Sequence, residues 1–450
     1  MKKKYETYLI AEIIVLTLFC NILAGSEAQE LGVKIERNVP VKMRDGTILR
    51  ADVHRPDRGG PYPVLVHRTP YNKKRSNFDE FVKAGYIVVR QDARGRYESE
   101  GKFESVWRFK THDADGYDTV EWAAKLPGSN GKVGTFGMSY DAFLQWRLAP
   151  LRPPSLVAMS AWSNPARCTD MSPGTIRPGF RLGWWAFMAL DMRRRQNLPG
   201  VHTEWEHRKL WNEEEAKWLN WLPWLELPED FFGYETTAVK SWLKNPHADP
   251  WKLDERCKDV SVPNLDIVGW YDQFNGDMLL FRMMVKEAKT KVARAGSRII
   301  IGPWTHGTYR RKYGNIDFGP DATLDKIAVQ IRWFDYWLKG KQNGVYKDPP
   351  VKIFVMGDNK WRDEQYWPLR RTKEKILFIT SDGRSNTPSG DGKLADKKPH
   401  SSGTDKYVYD PNDPVPTLYG ASDTIPLTII RKINVRCPRD RTSLFIKLNH

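Results

Sequence analysis

The chain has 450 residues with 71 Lys and Arg against 55 Asp and Glu, a net charge of +16, and contains 19 Trp and four Cys. With 40% hydrophobic and 12% aromatic residues it has the apolar surface to offset its ordering entropy, which excludes a disordered chain and predicts two or three domains. Four cysteines are too sparse for a disulfide-stapled scaffold, and the basic residues stand singly or in short groups such as Arg193–Arg195, as on a solvated face rather than a nucleic-acid-binding stripe.

The first readable segment is a leader. Lys2, Lys3 and Lys4 precede an apolar run from Ile13 to Ala24, and Ser26-Glu27-Ala28 places small residues before Gln29, so residues 1–28 read as a cleaved export signal. The apolar run is too short to span a bilayer, and no later stretch reaches that length, so no membrane association is expected after cleavage. The leader carries three Lys and three Glu, so its loss leaves the net charge unchanged. The cysteines left, Cys168, Cys257 and Cys437, are odd in number, so at least one is unpaired within the chain.

Alternating strands at Val33–Val41 and Thr47–Val53, split by Asp45-Gly46, predict a β-hairpin. Short apolar runs then follow at Pro63–Val66 and Tyr86–Val89 with a helical segment, Phe78–Ala84, between them. Asp113–Ala124 reads as a helix leading into a strand at Gly131–Phe136. Further strands are expected at Leu156–Ala161, Asn264–Val268 and Arg298–Ile301, with a helical stretch over Met278–Ala295. Strands alternating with helices indicate a parallel sheet covered on both faces. From Pro165 to about Asp254 aromatic residues crowd into helical patterns, as an inserted helical cap would. After about Gly344 short strands such as Val351–Val355 and Ile376–Thr380 alternate with turn-rich stretches, as in a β-sandwich. The expected division is a core over 29–164 and 255–345, a cap over 165–254 and a partial β-sandwich over 346–450.

Gly137-Met138-Ser139-Tyr140 lies between a predicted strand and a predicted helix, Asp141–Arg147. A serine on such a strained turn presents its hydroxyl at the sheet edge, and the Tyr140 N–H at the helix N-terminus is placed to stabilise an oxyanion. Asp141 fills the place where glycine is common, two residues after the serine, while Ala142 lets the helix approach the strand. In this sheet type a serine nucleophile is followed in the chain by its acid and then its histidine, each just beyond a strand. Of nine histidines, His306, His400 and His450 come late enough, and of these His306 directly follows the strand Arg298–Ile301. Asp272 follows the strand Asn264–Val268 in the same way, and the 34 positions separating it from His306 hold one βαβ step. A hydroxyl needs an imidazole to take its proton, and the imidazole needs a carboxylate to orient it. Ser139, Asp272 and His306 are therefore the candidate triad.

Seven motifs in chain order resemble those of the cocaine esterase / X-Pro dipeptidyl-peptidase (CocE/NonD) family of serine hydrolases. They are Arg44-Asp45-Gly46-Thr47, Arg68-Thr69-Pro70-Tyr71, Gln91-Asp92-Ala93-Arg94-Gly95-Arg96, the stretch Gly116 to Trp122, Gly137-Met138-Ser139-Tyr140, Gly269-Trp270-Tyr271-Asp272 and Gly302-Pro303-Trp304-Thr305-His306-Gly307. In the family pattern Asp141 is no defect; the departure is Ala142 in place of a glycine. The resemblance implies Ser139 as nucleophile, His306 as base and Asp272 as its partner, with the Tyr71 hydroxyl joining the Tyr140 N–H in the oxyanion hole. It implies an α/β-hydrolase core, a helical cap and a C-terminal jelly-roll domain. From about Leu427 the resemblance fades, so that domain is expected to be truncated, with unpaired strand edges and poor solubility.

Amino-acid ester hydrolases of this kind carry acidic residues just after the triad aspartate to hold a substrate ammonium; here Gln273-Phe274-Asn275 stand there. An uncharged or aromatic acyl ester is thus the expected substrate, with Trp184, Trp185 and Phe187 as candidate pocket residues or as plain core. An X-Pro dipeptidyl-peptidase or amide acylase using the same residues stays open, as do a catalytically inactive secreted binding protein on this fold and a homo-oligomer. No metal or phosphate-cradling motif is present, so no cofactor is expected.

Overall fold

The computed structural model describes residues 30–408 apart from 104–109, 168–177, 208, 210–222, 234–235, 246–247, 250, 273, 275, 308, 314–315, 386–389 and 402. The leader, Cys168, Cys437 and the region after 408 lie outside the described residues.

The opening hairpin pairs β1 (Val33–Lys42) with β2 (Ile48–Pro56) around Asp45-Gly46. β3 (Tyr62–Thr69), β4 (Ile87–Asp92), β5 (Ser129–Met138) and β6 (Leu156–Trp162) complete a six-stranded sheet of order β1-β2-β4-β3-β5-β6. From β4 across to β6 the strands run parallel, each a few residues from its expected bounds. Every residue of β4 is buried, Arg90, Gln91 and Asp92 among them, which is why its first half, Ile87–Val89, is an apolar run rather than an alternation. The crossovers are α1 (Asp79–Lys83), α2 (Lys110–Ala124) and α3 (Tyr140–Leu148). Side chains alternate between two cores: Val64, Val66, Ile87 and Val89 enter one, Leu65 and Val88 the other.

The insertion between β6 and the next strand contains α4 (Pro178–Arg195) and α5 (Thr236–Lys244), and its buried Trp185, Phe187, Trp242 and Trp251 join the first core. The chain then returns through α6 (Leu253–Arg256) to β7 (Leu265–Gly269), α7 (Gly276–Glu287), α8 (Lys291–Gly296) and β8 (Arg298–Gly302). The single helix expected over Met278–Ala295 is two, because the Thr290 hydroxyl accepts from Ala293 N at 3.0 Å and caps a new start.

β6 and β7 are joined by one parallel bridge, Met159 to Asn264, and a side chain completes the seam. Asn264 Oδ1 accepts from Ala161 N at 2.9 Å, and its Nδ2 donates to Ala161 O at 3.1 Å, so an amide side chain stands in for ladder bonds. After a short ribbon, β9 (Lys312–Tyr313) with β10 (Ile316–Asp317), comes α9 (Lys326–Lys339), which the sequence reading lacks. Its ends were legible: Asp325 caps it by accepting from Ala328 N, and Gly340 closes it at φ +71°.

One expectation needs correction. β11 (Val351–Val355) was expected to open the terminal β-sandwich; it pairs in parallel with β8 instead, and β12 (Lys360–Glu364) pairs antiparallel with β11. The core sheet thus extends past residue 345, because Val351 and Ile353 share a core with Val268, Ile299 and Ile301. β13 (Phe378–Thr380) and β14 (Lys393–Ala395) form a separate two-stranded sheet. Among the described residues no helix is long and apolar enough to cross a membrane.

The seam is testable. Asn264→Ala leaves the Ala161 N–H and C=O without those partners, and equilibrium urea unfolding should show a loss of about 2–3 kcal/mol.

Candidate active site

Ser139 stands between β5 and α3 with φ +59° and ψ −122°, a conformation that costs a side-chain-bearing residue about 1–3 kcal/mol. Two main-chain bonds hold it there: Ser139 N donates to Trp162 O at 3.0 Å, and Phe143 N donates to Ser139 O at 2.9 Å. Gly137 at φ +152° makes the turn possible, since a Cβ there would lie 2.6 Å from Asp141 Cβ. Ala142 in the first turn of α3 is fully buried and joins the first core.

Tyr71 follows β3. Its N–H donates to Thr69 Oγ1 at 3.1 Å, and the carbonyl before it, Pro70 O, accepts from the buried Arg96 Nε at 2.9 Å. At the other end of the side chain, Trp184 Nε1 on the cap helix donates to Tyr71 Oη at 3.1 Å, and the Ser139 side chain lies near enough to the same phenol to influence its ionisation. The ring stacks on Phe187 at 6.2 Å and meets Tyr140 edge-on at 6.4 Å. Burial, followed by the negative charge of Asp141, pushes the Tyr71 phenol well above its ordinary range. It is therefore a neutral O–H donor at any working pH. Tyr140 opens α3, so its N–H lies at the positive end of that helix, and its buried ring stacks on Trp184 at 6.1 Å.

The acid and the histidine meet at the ends of β7 and β8. His306 Nδ1 lies 3.0 Å from Asp272 Oδ1 and 3.2 Å from Oδ2, with the carboxylate side chain fully buried. Asp272 N donates to Gly269 O at 3.0 Å, and Phe274 N donates to Asp272 Oδ1 at 2.8 Å, so the acid is fixed on its own loop. Tyr271 N donates to Trp304 O at 2.9 Å, tying that loop to the histidine loop. A Cβ on Gly307 would lie 2.9 Å from Met138 Sδ, which shows how closely the histidine loop abuts the serine turn. The structure thus joins Asp272 to His306, sets Ser139 near Tyr71, and brings the two halves together at Met138 and Gly307. A Ser139–His306 hydrogen bond is not among the contacts of the described residues.

Sequence reasoning missed two things here. Trp184 was weighed as pocket lining, yet it also bonds the Tyr71 hydroxyl; an aromatic run at helical spacing carries no sign of that. Of its neighbours, Phe187 faces Tyr71, whereas Trp185 packs into the cap against Phe232 and Trp242. Phe274 was read as the absence of an acid, and it stands edge-on to the His306 ring at 5.0 Å. Cys257 is free and buried, and among the described residues no group of three or more His, Cys, Asp or Glu is arranged to hold a metal ion.

A parallel sheet with a strained serine between strand and helix, a His–Asp pair on the following loops and a helical cap over them defines a serine hydrolase of the α/β-hydrolase fold. The chain belongs to the X-Pro dipeptidyl-peptidase (S15) family, whose model matches residues 45–308, and the model of the X-Pro dipeptidyl-peptidase C-terminal non-catalytic domain matches 343–443, past the point near Leu427 where the resemblance by motif fades. The cocaine esterase of Rhodococcus sp. is 32% identical over 408 residues, covering 86% of this chain and 69% of that protein. Two solved structures share the fold: an aminopeptidase from a marine sediment Thaumarchaeota archaeon (22% identity, TM-score 0.66, covering 87% of this chain and 67% of that one) and an alpha-amino acid ester hydrolase (21%, 0.60, 85% and 65%). The chain spans about two thirds of the length of these relatives.

Two substitutions probe the Tyr71 side of the site. Tyr71→Phe should lower kcat by about 10²–10³-fold, the effect that loss of a hydroxyl donating to a forming oxyanion would have. Trp184→Phe keeps the ring stack and removes one hydrogen bond, so steady-state ester hydrolysis should show kcat reduced about tenfold with KM little changed.

Proposed function

We propose that this chain is an exported serine esterase that cleaves acyl esters through an acyl-enzyme. Ser139 Oγ attacks the ester carbonyl while His306 Nε2 takes its proton, and Asp272 holds His306 Nδ1 and stabilises the imidazolium. Negative charge forming on the carbonyl oxygen is met by the Tyr71 O–H and the Tyr140 N–H. The imidazolium then returns the proton to the departing alcohol. Water, activated by the same histidine, attacks the acyl-serine and releases the carboxylic acid. Export rests on the leader over residues 1–28.

The observation that carries the reading is the buried Asp272–His306 hydrogen bond set beside a serine held at positive φ. Such a conformation persists only where surrounding structure enforces it, and it marks a functional position. The preference for an uncharged acyl group rests on the aromatic surroundings of Tyr71 and His306, namely Trp184, Phe187 and Phe274. The similarity to the cocaine esterase supports the same preference, while the family model keeps X-Pro peptides as the second reading.

A fluorophosphonate probe on the full chain should label one serine, and Ser139→Ala should abolish the label. Folded protein that never labels overturns the esterase in favour of a binding protein. Aryl acyl esters run beside X-Pro anilides decide between the two hydrolase readings; turnover confined to the anilides overturns the ester preference.

A further inference from the structure

A second histidine–carboxylate pair lies beneath the serine turn, and the relay has no use for it. His67 on β3 meets Asp141 in the first turn of α3, with Nε2 3.0 Å from Oδ2 across 74 positions of sequence. The two side chains are 7% and 13% exposed. Phe78 and Phe136 pack on the imidazole at 4.9 and 5.3 Å, so the pair sits in an apolar pocket. His67 Nδ1 and Asp141 Oδ1 are buried without a hydrogen-bond partner among the described residues. The contact between His67 and Asp141 is therefore the side-chain hydrogen bond each group makes among the described residues.

Its position gives it a consequence for the chemistry. Asp141 lies two residues beyond Ser139, and its Cβ lies against Gly137. His67 lies four residues before Tyr71, on the strand that feeds the Tyr71 loop. Burial first, and the nearby Asp141 carboxylate second, raise the Tyr71 phenol above its ordinary range, so Asp141 lies within electrostatic reach of it. The same carboxylate, if released, accepts hydrogen bonds from the donors an oxyanion needs, the Tyr71 O–H and the N–H groups at the start of α3. An N–H from His67 occupies Asp141 Oδ2 and turns the carboxylate toward the sheet.

We propose that His67 is a positioning residue: it anchors the Asp141 carboxylate under the sheet and leaves the oxyanion donors to the transition state. The inference rests on the esterase reading above. A competitor for transition-state donors lowers kcat and leaves ground-state binding alone, whereas a loss of packing lowers the amount of folded enzyme.

The test is p-nitrophenyl acetate hydrolysis by the full chain, normalised to the serines titrated by a fluorophosphonate, for the parent, His67→Val, His67→Gln and the double variant His67→Val/Asp141→Leu. His67→Val should lower kcat about tenfold or more with KM within about twofold. His67→Gln keeps an N–H for Asp141 and should stay within about threefold of the parent, and the double variant, with the competing carboxylate gone, should recover to within about threefold. A His67→Val enzyme as fast as the parent overturns the inference, and so does a double variant as slow as the single one. If His67→Val does not fold, a double variant slowed about tenfold or more overturns it. A parent that titrates with the probe and hydrolyses no ester overturns the esterase reading and this inference with it, whereas an active parent with an unaffected His67→Val overturns the inference alone.

Discussion

Gly269 and Gly302 end neighbouring parallel strands in register, and the site depends on how closely the chain passes them. A Cβ on Gly269 would fall 2.0 Å from Trp304 O, and one on Gly302 would fall 2.4 Å from the Trp304 ring. Because both side chains are missing, Trp304 folds back over the strand ends, buried completely, with its indole N–H donating to Ala322 O at 2.6 Å. That fold-back carries His306 over Asp272. A larger residue at Gly269 displaces backbone, which has no rotamer by which to escape, and one at Gly302 displaces the fully buried Trp304 ring.

The Tyr71 side of the site is assembled differently, from core and cap together. Arg96 donates through Nε to Pro70 O at 2.9 Å and through Nη1 to Met188 O on α4 at 2.8 Å, and Asp191 on the same helix accepts from Tyr97 N at 2.8 Å. A single buried guanidinium therefore fixes both the loop that bears Tyr71 and the helix that bears Trp184. Planar, multiple donors suit arginine to that task. The cap is thus part of the geometry around the serine, holding the phenol from its hydroxyl end while the core holds it from its backbone end.

Further acids are buried close to the acid loop. Asp266 and Asp277 are fully buried near Asp272, and burial pushes both acids well above the usual carboxylate range. Asp277 Oδ2 accepts from Asn164 N at 2.9 Å. Burial disfavours the charged form of both acids, and the carboxylate that meets His306 is Asp272. On the serine side the His67–Asp141 pair meets the same constraint, since an unpaired carboxylate in apolar surroundings is costly.

What could be read from the linear chain is whatever depends on neighbours in sequence. Apolar runs separated by turn residues gave the strands nearly to their ends, the Gly137–Tyr140 turn marked the serine, and strand-then-loop order singled out Asp272 and His306. α9 was passed over although both its caps and its buried face, Gln330, Trp333, Phe334 and Leu338 at helical spacing, stand in the sequence. β11 was misplaced because a short strand looks the same whichever sheet it joins. Only the folded chain decided that Trp184 bonds Tyr71, that Arg96 spans core and cap, and that His67 meets Asp141. Those contacts join residues 26 to 113 positions apart, and their partners are set by packing across the sheet and the cap, which local propensity does not encode.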